Sequence, residues 1–205
     1  MSRLFIALAF VVMVATDLAA ADQRFTTGKF LVAAPGLRDP RFAESVVLVF
    51  DHDAGGAFGL IVNKALGEGP LMPLLKGLEI ELPADSETGE DPPADPSIRL
   101  HYGGPVDRGA IFIIHSTDYQ GPATKVLIDI AVMTRDVKVL RDVAQGAGPA
   151  HMMMILGYAG WAAGQLDSEL ARGDWLVVPA DPMILFDDDA SSKWRRLSDS
   201  VGVPL

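Results

Sequence analysis

The run Gly157-Tyr158-Ala159-Gly160-Trp161-Ala162-Ala163-Gly164-Gln165-Leu166-Asp167 constrains this chain more than any other stretch. It follows Met152 to Leu156, a wholly apolar segment of strand length. It precedes Gln165 to Arg172, where Leu166 and Leu170 fall on one helical face and Gly173 is the stop. An apolar run this short reads as a central strand. Glycines at such a junction allow backbone to approach backbone, or to adopt positive φ. Two readings follow. In the first, the glycines let the strand turn while Tyr158 and Trp161 cap the core. In the second, free N–H groups at the start of the helix hold an anion or a partner. The run lacks the Lys-Ser/Thr pair of a P-loop and the full spacing of a dinucleotide fingerprint.

A second glycine turn, Gly103-Gly104-Pro105, follows His101. The functional expectation is that the two turns meet in one cleft. Its surface would comprise His101, Gly103, Gly104, Tyr158, Gly160, Trp161 and Gln165.

The rest of the chain alternates short strands and helices. Lys29 to Ala34, Ser45 to Phe50, Ala57 to Asn63, Arg99 to Tyr102, Ala110 to His115, Val126 to Ile130 and Trp175 to Val178 read as strands, the second and third as a hairpin. Leucines at 71, 74, 75 and 78 predict a helix. Thr134 is the expected N-cap of a helix reaching about Gln145, and Ser191 to Ser200 forms a closing helix. Glu79 to Pro96 holds seven acidic residues, four prolines and no basic residue, the composition of an exposed loop. The class is α+β with a mixed sheet.

With 205 residues the chain fits one domain, or one domain plus a targeting segment. Arg3, the apolar run Leu4 to Val14 and Ala19-Ala20-Ala21 have the layout of a secretory signal cleaved between Ala21 and Asp22. Residues 1–21 would then be a signal peptide and 22–205 the mature domain. Cleavage implies a periplasmic or secreted protein; an uncleaved chain implies a cytoplasmic one. The apolar run is shorter than the roughly 20 residues that span a bilayer, so no membrane anchor is expected in the mature chain.

Composition removes several classes of chemistry. The absence of cysteine excludes disulfides, cysteine-ligated zinc, iron–sulfur clusters and thiol nucleophiles. A net charge of −10 argues against nucleic-acid binding, which rests on phosphate neutralisation by Lys and Arg. The basic Lys193-Trp194-Arg195-Arg196 follows three aspartates and reads as a solvated helix face. The histidines, at 52, 101, 115 and 151, show no i, i+4 pair, so no metal site and no cofactor are expected. Asp51 to Gly56 imitates a calcium loop, but its twelfth position is Val62. His115-Ser116 with Asp118 suggests a triad, yet no GxSxG elbow exists.

Five stretches in order resemble the AlgH/YqgE family: Gly28 to Pro35 with Asp39-Pro40-Arg41-Phe42; Ser45 to Leu48 through His52 to Ala57; Gly59 to Lys64; Gly103 to Val106 with His115-Ser116; and Gly157 to Leu170 with Trp175-Leu176. Departures are Ala65 where members usually carry Pro, and Asp167 where Glu is usual. The resemblance implies an α+β fold with a strongly bent, barrel-like sheet flanked by helices, and no accepted activity or cofactor. One relative gave its name to a proposed regulatory role in alginate production. Two functions from different classes remain. One is a non-enzymatic binding or regulatory module that holds a protein or a small anionic ligand. The alternative is an enzyme using a histidine as acid–base in the cleft of His101, Gly103-Gly104 and Tyr158 to Trp161.

Overall fold

The computed structural model describes residues 26–77, 79, 96–121, 125–127 and 129–202. The segment read as a signal peptide, and nearly all of the acidic stretch 79–96, lie outside the described residues. Among the described residues, ten strands and five α-helices follow one another. They are β1 (Lys29–Ala33), β2 (Val46–Asp53), β3 (Gly56–Ile61), β4 (Ala65–Pro70), α1 (Leu71–Gly77), β5 (Ser97–Tyr102), β6 (Val106–His115), β7 (Lys125–Leu127), β8 (Ala131–Thr134), α2 (Lys138–Ala144), β9 (Met152–Ala162), α3 (Gln165–Ala171), β10 (Trp175–Pro179), α4 (Pro182–Leu185) and α5 (Lys193–Ser200).

The strands make one sheet in the order β10-β1-β2-β3-β9-β6-β8-β7, with β5 also on β9 and β4 on β5. Every pairing is antiparallel except β5 with β9. The expected α+β class with a mixed sheet and flanking helices is therefore what forms. The sheet stays open: β10 at one end and β7 at the other do not pair.

The central strands are apolar on both faces, and side chains alternate between two layers. Phe30 and Val32 of β1 join Val46, Leu48 and Phe50 of β2 on one face. Leu31 and Ala33 join Val47 and Val49 on the other. Helices α4 and α5 cover the first face through Leu185 and Leu197. A third cluster under α1 and α2 gathers Leu71, Leu75, Val139 and Leu140 against Ile113 and Met154.

β9 is the strand on which this layering turns. Met153 and Ile155 point into the first layer. Gly157 then takes φ 73° within the strand. Beyond it, Tyr158 packs on the first layer, while Ala159 and Trp161 enter the second. One left-handed glycine has moved the inward set from odd to even positions, as a glycine bulge does.

The structure corrects several expectations. The glycine-rich run is not a break, because β9 continues through it to Ala162. Thr134 does not cap a helix. It ends β8, its Oγ1 accepts from the Asp136 N–H, and Asp136 in turn accepts from the N–H of Lys138, the first residue of α2. Val126 to Ile130 is not one strand: Asp129 at φ 59° turns β7 back onto β8. Strand β4, whose Gly67, Gly69 and Pro70 disguise it, had no counterpart in the sequence reading. Lys193 is not solvated but fully buried, its Nζ donating to the Leu185 carbonyl at 2.6 Å.

The candidate functional site

The Gly103-Gly104 turn and β9 do meet, but as backbone against backbone. β5 lies on one edge of β9, where Tyr102 is opposite Leu156, and β6 lies on the other, where Val106 is opposite Tyr158. The three residues between them carry the chain across β9. Gly103 donates its N–H to the Leu156 carbonyl, and the Gly103 carbonyl accepts from Ile61. A Cβ at Gly103 would lie 2.3 Å from the Gly157 carbonyl oxygen, and one at Gly104 would lie 2.2 Å from the Tyr158 carbonyl. No space for a ligand remains at this crossing. The glycines are there because two chains cannot pass this closely with side chains between them.

His101 also belongs to the interior. It is fully buried on β5, and neither ring nitrogen has a hydrogen-bond partner among the described residues. Burial, with Lys193 and Arg99 nearby, pushes its pKa down to about 4. It is therefore a neutral imidazole at physiological pH. Arg99 on the same strand donates to the Phe186 and Asp187 carbonyls and pairs with Asp188, tying the α4 end to the sheet.

The Tyr158 ring packs on Phe58 and Phe112 in the core, and the other three predicted residues, Gly160, Trp161 and Gln165, line a cavity of about 860 Å³. Its opposite wall is the loop between β1 and β2, through Gly36, Leu37, Arg38, Asp39, Arg41 and Phe42. The loop is pinned at its base. Asn63 accepts from the Val46 N–H at 2.7 Å and donates to the Glu44 carbonyl at 2.9 Å, holding Glu44 at φ 55°. Lys64 donates to the Arg41 carbonyl at 3.0 Å, and its burial lowers its pKa. At the top of the loop Phe42 stacks on Trp161 at 6.3 Å and meets Trp175 edge-on at 5.7 Å.

Glu169 organises the aromatic wall. Its Oε2 accepts from both Trp161 Nε1 and Trp175 Nε1 at 2.8 Å. Its Oε1 accepts from Gln165 Nε2 at 2.9 Å, and Gln165 Oε1 accepts from the Ala162 N–H. One carboxylate thus fixes two indoles and, through Gln165, the end of β9. At the rim, Asp39 holds Arg41 through Nε and Nη2, and Asp174 holds Arg172 through the same two nitrogens. The Arg41 guanidinium keeps the Asp39 carboxyl below the usual carboxylate range. Arg38 is exposed on the same loop and makes no ion pair among the described residues.

The remaining histidines do not converge. His52 Nδ1 lies 3.1 Å from Thr26 Oγ1, with Asp167 on its other side. His115 Nδ1 lies 2.8 Å from the Ser116 carbonyl, and the ring of His151 stacks on Phe186. Ser116 Oγ donates to Asp118 and accepts from the His151 backbone N–H, so these three do not form a triad. No group of His, Asp and Glu among the described residues could hold a metal. No described helix is long and apolar enough to cross a membrane.

A sequence model of the AlgH-like family matches residues 30–205. The chain belongs to this family. A member from Methylococcus capsulatus is 42% identical over 180 residues, covering 88% of this chain and 93% of the relative. One from Mesorhizobium japonicum is 38% identical, covering 91% of each. The solution structure of AlgH from Pseudomonas aeruginosa superposes with a TM-score of 0.68 at 34% identity, covering 88% of this chain and 90% of that one. A crystal structure from Corynebacterium diphtheriae, at 23% identity and a TM-score of 0.58, shares the fold. The curated relatives carry family names without an assigned activity.

Sequence reasoning missed the loop half of the candidate site. Asp39-Pro40-Arg41-Phe42 stood among the family stretches, but nothing local joins it to Trp161, over a hundred residues away. The i, i+4 pair of Gln165 and Glu169 was the available signal on the helix side.

Proposed function

We propose that this AlgH-like chain is a non-enzymatic binding module that takes a small organic anion in the cavity between the β1–β2 loop and the β9–α3 corner. The observation that carries this reading is the way the cavity is built. Two indoles on one wall meet Phe42 from the other, three arginines reach the rim, and the one carboxylate among the rings is committed to two indole N–H groups. A volume of this size suits a small ligand. Rigid aromatics beside oriented guanidiniums suit a molecule with an apolar body and an anionic head. The lining contains no histidine, serine or threonine. Its carboxylates accept from Arg, Trp or Gln donors. That arrangement favours holding a ligand over moving a proton.

The test is a thermal-shift screen of organic anions against neutral compounds of matched shape. Anions are expected to raise the melting temperature of the wild type and to lose that effect in Trp161→Ala. Since Trp161 is nearly buried, Val106→Trp provides an independent check: Val106 is 37% exposed, and the larger ring would fill the cavity from its surface. Shifts that persist in both variants, or none with any anion, would overturn the reading.

A further inference from the structure

We infer that the anion this cavity takes is a phosphate monoester on a flat apolar body, gripped by the unused guanidinium edges of Arg41 and Arg172. The inference rests on the anion-binding reading above and narrows it to one head group. A guanidinium presents two edges, a side edge of Nε with Nη2 and an end edge of Nη1 with Nη2. In both arginines the side edge is occupied, by Asp39 and by Asp174. In both, Nη1 has no acceptor among the described residues. Arg41 meets both oxygens of Asp39 and Arg172 meets the single Oδ2 of Asp174, and both line one cavity with their end edges open.

The paired aspartates act as holders. They fix the rotamers of two long side chains that are 58% and 59% exposed, so less freedom is lost when a ligand arrives. A carboxylate ligand has two oxygens in one plane, which two forks would have to share. A phosphate monoester spreads three oxygens over a tetrahedral face and can meet two forks from different sides. Charge count makes the argument sharper. The lining carries three arginines, at 38, 41 and 172, against three carboxylates, at 39, 169 and 174. With no excess positive charge in the lining, selection among anions must come from fork geometry, which Lys cannot reproduce. The flat body would lie along Pro105, Val106 and Gly160, beneath Phe42 and the edge of Trp161.

The experiment is titration calorimetry of the full chain with two probes, phenyl phosphate and benzoate. Phenyl phosphate is expected to bind at least ~10-fold more tightly than benzoate, and Arg41→Lys and Arg172→Lys should each weaken it by ~10-fold. Its affinity should also fall as pH drops below about 6, where the monoester loses its second charge, while that of benzoate should not. Both arginines are exposed, so a melting curve on each variant will confirm that the fold survives. If benzoate binds as well as phenyl phosphate, or the Lys variants bind phenyl phosphate normally, the phosphate assignment fails while the anion-binding reading stands. If neither probe binds but other anions in the screen stabilise the wild type through Trp161, the phosphate assignment again fails alone. If nothing binds, both fail.

Discussion

The two halves of β9 carry the same kinds of residue and use them in opposite ways. Around Gly157 the strand is buried, and Gly103, Gly104 and Gly157 let one backbone pass over another at van der Waals limits. Three residues on, Gly160 is exposed, Trp161 stands on a Glu169 pedestal, and the strand forms the wall of a cavity. The bulge at Gly157 connects the two, because it moves Trp161 to the cavity face. Glycine and aromatic content alone does not mark a binding site; what separates the halves is whether fixed backbone or a movable side chain lies above each glycine.

The strongest way to break this contrast is to place a methyl group at the crossing. Gly104→Ala and Gly157→Ala put a Cβ 2.2 and 2.6 Å from backbone atoms at positive φ, where neither neighbour can retreat. Each should cost about 4 kcal/mol or more, enough to leave little folded protein, as read by urea melts. Gly164→Ala, also at positive φ but with nothing within 4 Å, should cost about 1 kcal/mol. Comparable losses at Gly104 and Gly164 would refute close approach as the reason for the crossing glycines.

Next in size is Glu169→Ala, which strands two indole N–H groups and releases Gln165. The expected loss is about 3 kcal/mol, with Trp fluorescence changing because Trp161 and Trp175 lose their anchor. Glu169→Gln keeps an acceptor and should recover part of it. If neither variant moves the melt, the cavity wall does not depend on this carboxylate.

His101 gives a third test, on the buried side. Its folded pKa of about 4 lies below the 6.5 of an unfolded chain. As pH falls below 6.5 the unfolded chain takes up a proton that the folded chain refuses, so folding stability is lost between pH 6.5 and 4. The loss approaches about 3 kcal/mol at the lower end. His101→Leu should be neutral or stabilising at pH 7, because it replaces two unpartnered nitrogens, and should flatten the acid limb. An unchanged acid limb would show that another group controls it.

Much of the fold was legible because its signals are local. Apolar strand runs at 46–50 and 152–156, and the leucine spacing of α1, name their elements unaided. What was not legible is long-range. A positive φ at Gly157 inside a strand looks, in sequence, like the end of one. Lys193 reads as solvent-facing until Leu185 supplies a buried carbonyl. Half of the proposed site, Gly160, Trp161 and Gln165, sits in the aromatic-glycine run itself. The other half is the β1–β2 loop, brought opposite by pairing that only the folded sheet provides.

The smallest expected effect is also the most discriminating. Gly160→Ala places a Cβ 3.2 Å from the edge of the Tyr158 ring, a side chain that is half-buried and able to shift. Its φ is not in the left-handed region, so backbone strain does not arise, and stability should change by less than about 1 kcal/mol. Gly160 nevertheless lines the cavity, on the surface that the ligand's flat body would cover. A loss of phenyl phosphate binding of several-fold, with an unchanged urea midpoint, would separate the two halves of the strand by experiment: glycine that keeps the fold at 104 and 157, glycine that keeps the site at 160. Equal effects on melting and binding would place Gly160 with the crossing glycines and move the cavity floor elsewhere.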